Sequence, residues 1–301
     1  MNLSDHFITC IKRWYGKEGE EWLANLPEHI EACAKRWNLE IGEAMPNLSA
    51  NYVANAKLQD GTEVILKMSP HKKPIMEMEA LEHLTNHPGI ISLIYTDEDL
   101  AAMVIEKIVP GTSLCVVQAK DDDEAMRIAA PIIRDVQADV PDSHHLRSVK
   151  EEMEVIQKMY DKGGWDEETM AMLKKALDLR EKLESSKQED KLIHGDLHHD
   201  NILYDEKRGW LAIDPKGRIG DPAYNAARIM RNYWDTKPTE PLVRKRFEIL
   251  ADVLGFSEQR IASWAYLDCV LSESWDLDEI GKRGENEKPI IALIEIVMES
   301  L

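Results

Sequence analysis

The sequence predicts an α+β protein in two lobes, a small antiparallel sheet carrying one key helix, followed by a larger lobe that is mostly helical. Three observations predict this. Short apolar runs flank an Asp60-Gly61 turn inside the first hundred or so residues. Helical apolar spacing dominates beyond Pro110-Gly111. One polar stretch, "LIHGDLHHDNILYDEKRGWLAIDPKGRIGDPAYN" at 192–225, interrupts those helices with two short strands. The 301 residues suffice for one large or two modest domains with a real core. The change of character near 107–111 divides the chain into lobes of 1–106 and 107–301.

The elements follow in order. Trp22, Leu26, Ile30, Cys33 and Trp37 recur at spacings of three and four, so 17–45 reads as amphipathic helix in pieces, with Pro27 starting the second piece. Val53 and the run Val64 to Leu66 read as two strands joined by the "QDGT" hairpin turn. "PIMEMEALEHLTNH" is helical, with Ile75, Met78, Leu81 and Leu84 on or near one face. "ISLIYTDEDLAAMVIEKIVPG" gives two more strands around an acidic turn. Residues 122–139, 147–160 and 166–186 carry helical periodicity. "NILY" and "WLAID" are the short strands, and helices resume from 222 to the end.

Composition narrows the function classes. Apolar residues make up 44%, too many for a disordered chain. No apolar run is long enough to cross a bilayer, and the first residues lack the apolar core of a signal peptide, so the cytosol is the expected location. Cys10, Cys33, Cys115 and Cys269 are far apart and form no C-x-x-C pair, which leaves a cysteine zinc site without support. A net charge of −19 argues against nucleic acid and against anionic membranes. It is compatible with a cationic small-molecule substrate, although solubility alone accounts for it. Oligomeric state is not written in the composition.

The polar stretch holds the chemistry. Asp196 precedes Asn201 by five positions, and Asn201 precedes Asp214 by thirteen. "His-Gly-Asp-x-x-x-x-Asn" before one strand and "Ile-Asp-Pro" after the next put two carboxylates and an amide on a hairpin. Phosphoryl transfer from ATP needs such parts: a carboxylate to accept the hydroxyl proton, and hard oxygen ligands for Mg²⁺. It also needs a lysine for the phosphates, held by a glutamate. Lys67 closes the strand "EVILK", and Glu77 shares the inward helical face of Leu81 and Leu84 while Glu79 points elsewhere.

This order of strand lysine, helix glutamate, "HGDLHHDN" and "IDP" resembles the aminoglycoside phosphotransferase family, and within it the streptomycin 6-kinase and hydroxyurea-kinase branch. The shared motifs stand at Asn51 to Ala54, Asp60 to Lys67, Glu77 to Leu81, Pro110 to Leu114, His194 to Asn201 and Trp210 to Asn225. The resemblance implies a two-lobed protein-kinase-like fold, ATP and Mg²⁺ as cofactors, and Asp196 as catalytic base. It implies Asn201 and Asp214 as Mg²⁺ ligands, Lys67 on the ATP phosphates with Glu77 as its partner, and the backbone of Glu106 and Ile108 on adenine. It implies transfer of the γ-phosphoryl to a hydroxyl of a small molecule, an aminoglycoside such as streptomycin, where the added negative charge would confer antibiotic resistance. Two departures stand out. Asp200 occupies a position where the branch commonly has glycine, and no Gly-rich loop is present, so Ser49 and Asn51 of "MPNLSANYV" would cover the phosphates.

Other readings compete. Polar residues in loops often cap turns, but this spacing together with Lys67 and Glu77 disfavours that account. His194, His198 and His199 suggest a metallo-hydrolase cluster, though no further ligand group recurs at suitable spacing and bracing of the catalytic loop is the expected role. Asp221 reads as a structural acceptor for that loop, and Lys216 either reaches substrate or phosphate or is a solvated lysine. Asp268, Asp276 and Glu279 fall at helical spacing beside Trp275, a face able to bind a guanidinium or ammonium or else simply solvated. A housekeeping kinase for a sugar or amino alcohol, and a catalytically silent nucleotide-binding regulator, are the alternative functions.

Overall fold

The computed structural model describes residues 3–301 apart from 47, 71–75, 86, 187–188, 233–236 and 285–286. Its contacts divide the chain into two compact units, Met1–Asn86 with Ile91–Val109, and His87–Ile90 with Pro110–Leu301. Ile75 of the predicted helix and Asn47 of the predicted phosphate-covering turn lie outside the described residues.

The first unit opens with α1 (Asp5–Trp37), whose first turn is capped by Ser4 accepting the Phe7 N–H. The break in this helix falls at Gly16, with φ 54 and ψ −132, and Pro27 lies inside the helix instead of starting a new one. Glycine reaches positive φ without a Cβ clash, whereas an interior proline forfeits one hydrogen bond that the surrounding turns outweigh. The helix also stops short of 45. Asn38 ends it in the left-handed region, φ 50 and ψ 51, and Glu40–Ala44 forms a strand, β1.

The remaining elements of this unit are β2 (Tyr52–Lys57), β3 (Glu63–Met68), α2 (Met76–Leu84), β4 (Leu93–Asp97) and β5 (Ala102–Glu106). They make a five-stranded sheet in the order β1-β2-β3-β5-β4, antiparallel throughout. The β2–β3 turn forms as the sequence predicts, with Asp60 Oδ1 accepting the Thr62 N–H at 2.9 Å and Gly61 at φ 85. Strand alternation then sorts the side chains. Ala54 and Ala56, Leu66 and Met68, and Ala102 and Val104 turn to one face, where they are buried with Phe7, Ile11, Trp22 and Leu26 of α1. Lys67, out of step with Leu66 and Met68, turns to the other.

The second unit contains β6 (Pro110–Ser113), α3 (Cys115–Gln118), α4 (Asp122–Asp135), β7 (Gln137–Asp139), β8 (Arg147–Ser148), α5 (Val149–Glu152), α6 (Glu154–Lys162) and α7 (Glu167–Ser185). After them come β9 (Lys191–Ile193), β10 (Ile202–Asp205), β11 (Gly209–Ala212), β12 (Arg218–Gly220), α8 (Ala227–Met230), α9 (Glu240–Leu254), α10 (Glu258–Glu279) and α11 (Lys288–Glu299). The predicted helix at 122–139 ends earlier, because Gln137–Asp139 pairs with β9 as a strand. The one at 147–160 is interrupted at Met153. Two small sheets carry the polar stretch: β11-β10-β6, and β7-β9-β12-β8. Helix α10 is buried on all sides from Ile261 to Leu271 and packs against α6, α7, α8, α9 and α11, which makes it the axis of the unit.

Candidate active site

In the first unit Lys67 Nζ donates to Glu77 Oε1 at 2.7 Å. The ammonium comes from the middle strand of the sheet and the carboxylate from the first turn of α2, so both partners sit on rigid elements. Lys67 is buried, and Glu77 nearly so. A buried ammonium is tolerated only when paired, and this pairing fixes the direction of the lysine. Glu106 closes β5, and its carboxylate accepts the Ser92 N–H at 2.7 Å. Ile108 follows it, half-buried. Ser49 and Asn51 occupy the bend between β1 and β2, Ser49 exposed and Asn51 half-buried.

In the second unit the loop expected to be catalytic is the segment between β9 and β10. Gly195 begins its turn at φ 76, and a Cβ there would stand 2.6 Å from Arg218 Cγ, so only glycine fits. Its N–H donates to Asn225 Oδ1 at 3.3 Å. His194 braces the loop as expected. Its Nε2 donates to the Ile213 carbonyl at 2.8 Å, which leaves Nδ1 to accept the Asp196 N–H at 3.2 Å. Burial pushes its pKa down to about 4, so the ring is the neutral tautomer that this bonding requires. With both nitrogens engaged, His194 is not available to a metal.

Asn201 ends the loop. Its Nδ2 donates to the Asp196 carbonyl at 2.9 Å, and its own carbonyl accepts the Ile213 N–H at 2.9 Å. The β10–β11 register, with Ile202 opposite Ala212, therefore sets Asn201 and Asp214 at the same end of one hairpin. Asp214 is exposed and holds a left-handed backbone, φ 56, unusual for a residue with a side chain. Such strained positions gather at functional sites, where surrounding structure sustains them.

Asp196 itself is 18% exposed and bound on both oxygens. Oδ1 accepts from Arg228 Nε at 2.7 Å, and Oδ2 faces Lys216 Nζ at 3.1 Å. Burial alone would raise its pKa, but Arg228 and Lys216 outweigh burial and hold the carboxyl below its ordinary value. It is ionised across the neutral range. Lys216, left open between two roles by the sequence, is thus at the Asp196 carboxylate. Arg228 was not expected there; "NAARIMRN" reads as an ordinary helical segment, and no sequence signal marks it.

The chain matches the aminoglycoside/hydroxyurea antibiotic resistance kinase family over residues 36–280. The chain belongs to this family. It is 28% identical to streptomycin 6-kinase of Streptomyces glaucescens over 283 residues, covering 89% of this chain and 88% of that protein. It is 27% identical to hydroxyurea phosphotransferase of Kitasatospora aureofaciens over 277 residues, covering 89% and 78%. Among solved structures, a thermostable variant of aminoglycoside phosphotransferase APH(4)-Ia in complex with ADP and hygromycin B superposes with a TM-score of 0.60 at 14% identity, covering 90% and 97%. Choline kinase LicA from Streptococcus pneumoniae does so with a TM-score of 0.59 at 15% identity, covering 92% and 100%. These likenesses show the fold, protein-kinase-like, with the antiparallel sheet first and the helices after it.

In this kinase the acids of α10 divide. Asp268 is 1% exposed, and the guanidinium groups it meets belong to the chain itself: Arg231 Nε at 2.8 Å and Arg228 Nη1 at 3.5 Å, with Tyr224 O–H donating at 3.1 Å. Asp276 is half-buried, while Trp275 and Glu279 are exposed near the C-terminal end of the helix. Asp221 is a structural acceptor, but its partners are the Ala223 N–H, Trp264 Nε1 at 2.8 Å and Arg260, not the catalytic loop. Asp200 is exposed beside Asn201, and Cys115 Sγ donates to its Oδ1 at 3.1 Å. Among the described residues no helix of the kinase is long and apolar enough to cross a membrane.

Proposed function

We propose that the kinase transfers the γ-phosphoryl group of ATP to a hydroxyl of an aminoglycoside, with streptomycin as the first candidate. The observation that carries this reading is the catalytic loop and its hairpin: Asp196, Asn201 and Asp214 belong to one hydrogen-bonded unit through Asn201 Nδ2 on the Asp196 carbonyl and the Ile213 N–H on the Asn201 carbonyl. The similarity to streptomycin 6-kinases over most of the chain supports the substrate class.

Asp196 orients the substrate hydroxyl. It takes the proton as the bond to the γ-phosphorus forms and the bond to the ADP oxygen breaks. As a weak base it works late, when the attacking oxygen has become acidic, and so its main contribution is direction. Lys216, half-exposed on Oδ2, places positive charge beside the attacking oxygen. Lys67, held by Glu77, contacts the α- and β-phosphates. Glu106 and Ile108 would hold adenine through their backbone, and Ser49 and Asn51 would cover the phosphates.

The donor set fits Mg²⁺. Asn201 spends its Nδ2 inside the loop, which leaves the hard Oδ1, and Asp214 adds a carboxylate at the same hairpin end. Mg²⁺ takes one or two protein oxygens and completes its shell with phosphates and water. When bound with the nucleotide it spreads the charge that builds on the transferring phosphoryl. Asp276, Glu279 and Trp275, near the C-terminal end of α10, are the residues assigned to a cationic substrate, two carboxylates beside an exposed indole.

The test is Mg·ATP consumption against streptomycin, other aminoglycosides, hydroxyurea, and common sugars and amino alcohols, with product mass measured for every hit. One phosphate gained on streptomycin is the expected result. Turnover on hydroxyurea, a sugar or an amino alcohol alone would discard the aminoglycoside and keep the transfer. ATP binding with no turnover on any compound would favour a silent regulator.

A further inference from the structure

The catalytic carboxylate is one end of a row of alternating charges. Asp196 Oδ1 meets Arg228 Nε at 2.7 Å, and Arg228 Nη1 lies 3.5 Å from Asp268 Oδ2. That same oxygen meets Arg231 Nε at 2.8 Å, and Arg231 Nη1 meets Glu287 Oε1 at 2.9 Å, which Ser272 Oγ also reaches at 2.9 Å. Asp268 is almost wholly buried in α10, the axis of the unit, while Arg228 stands on the one-turn helix α8 and is only 11% exposed. Phosphoryl transfer needs the carboxylate of Asp196. It does not by itself need an arginine on that carboxylate, nor an aspartate buried behind the arginine.

We propose that Arg228, anchored by Asp268, is a positioning residue of the transfer reaction: it fixes the direction of the Asp196 carboxylate relative to the axis of the helical unit. The proposal rests on Asp196 being the catalytic base. Three features carry it. First, the bond to Asp196 uses Nε, and Nη1 of the same planar group lies 3.5 Å from Asp268 Oδ2, an ion-pair contact without a hydrogen bond, so one rigid group spans two carboxylates. Second, the anchor is immobile, because Asp268 lies among side chains packed on every side of α10 and its other oxygen is held by Tyr224. Third, the opposite oxygen of Asp196 is held by Lys216, a flexible and half-exposed chain. One oxygen is therefore fixed and the other is adjustable, as a base requires when it must keep its line to the hydroxyl while the charge beside it follows the phosphoryl. Among the described residues, His198, half-buried on the same loop, and His194, which takes the Asp196 N–H, are further titratable groups near the carboxylate.

The test is steady-state kinetics on Arg228→Met, Arg228→Lys, Asp268→Asn and the Arg228→Met/Asp268→Asn double variant, with thermal melts to count folded protein. Arg228→Met is expected to lower kcat by about 10²-fold, the cost of a catalytic group misplaced by about an ångström. KM for Mg·ATP should stay within about twofold, since Arg228 is assigned no role in nucleotide binding. Arg228→Lys keeps the charge but not the fork, and should fall between wild type and Arg228→Met. The double variant should match Arg228→Met, because Asp268 acts through Arg228. Three results would overturn the proposal: Arg228→Met folded with kcat near wild type, kcat lost only in proportion to folded protein, or multiplying losses in the double variant. Should Arg228→Met not fold, Arg228→Lys decides: full wild-type kcat in that variant removes the need for a bridge. An Asp196→Asn protein that still turns over would instead remove the reading of Asp196, and the two failures are thereby told apart.

Discussion

Two ion pairs carry the roles proposed for this kinase, one in each unit, and they are built in opposite ways. Lys67 and Glu77 are ten residues apart in sequence, on β3 and on the helix that follows it, and they meet at 2.7 Å. Asp196 is bound by Lys216, twenty residues on, and by Arg228, thirty-two residues on, and behind Arg228 stands Asp268 from a different helix. The first pair is local, formed within one strand–helix segment. The second is a network closed only by tertiary packing. In the proposed function the local pair aims one charge at the phosphates. A network gives the carboxylate a fixed side and a yielding side, and its energy is shared among members that no single deletion measures cleanly.

The largest effect separates the two by which kinetic constant moves. Asp196→Ala should abolish transfer, a loss of 10³-fold or more on the scale of about 10²–10⁴ for a general base together with the orientation it provides. Nucleotide affinity, measured by titration of Mg·ATP, should remain largely intact. Lys67→Ala should lower kcat/KM by about 10²-fold with KM for ATP raised, since a charge on the phosphates acts in both ground and transition states. Glu77→Gln should do less of the same. If Asp196→Ala turned over near normally, or if both variants moved the same constants equally, the proposed division of roles would fail.

What the sequence discloses divides along the same line. The Asp60-Gly61 turn, the strand lysine, the helix glutamate and the hairpin with Asn201 and Asp214 are all local patterns with fixed spacing, and each forms as read. The edge strand β1 was hidden because Glu40–Ala44 follows an amphipathic helix without a turn signal, and only the left-handed Asn38 reveals the stop. Pro27 misled because proline is read as a starter, whereas a long helix packed on a sheet tolerates one. Asp268 was read as a group able to bind a guanidinium. The structure instead buries Asp268 against Arg228 and Arg231 of the same chain, a contact across about forty positions that no periodicity encodes.

A third prediction probes the imidazoles of the catalytic loop, where His194 is fully bonded and His199 is not. His199 is 0% exposed, and neither of its ring nitrogens has a hydrogen-bond partner. Burial, then Arg246 nearby, push its pKa down to about 3 from an ordinary 6.5. The folded state therefore stays neutral where the unfolded chain takes a proton, and stability falls as the pH drops from about 6.5 towards 3. His199→Leu loses no hydrogen bond and removes this contribution. Its unfolding free energy should decline less steeply with acid than that of the wild type, by about 1.4 kcal/mol per pH unit within that window. Denaturant melts at pH 7 and pH 5 measure it, and equal acid slopes in the two proteins would mean that the ring is protonated in the fold or solvated.

The smallest expected effect concerns Asp200, the charge that stands where the family branch commonly has glycine. It lies between His199 and Asn201, exposed, and it accepts the Cys115 thiol. An exposed carboxylate one residue from Asn201, a proposed Mg²⁺ ligand, would add attraction for the cation, but water and salt screen it, so its worth is bounded by that of a surface pair, under about 1 kcal/mol. Asp200→Gly should raise the Mg²⁺ concentration for half-maximal activity by about twofold at low ionic strength, and by less in 0.5 M salt, since an exposed charge is screened. The thiol of Cys115, which burial holds up at about 11, stays protonated with or without its carboxylate partner and contributes nothing to the change. A large loss of kcat in Asp200→Gly would mean instead that the carboxylate shapes the loop. The comparison would then sharpen, because a third acid would join Asp196 and Asp268 in the network and none would be added beside Lys67.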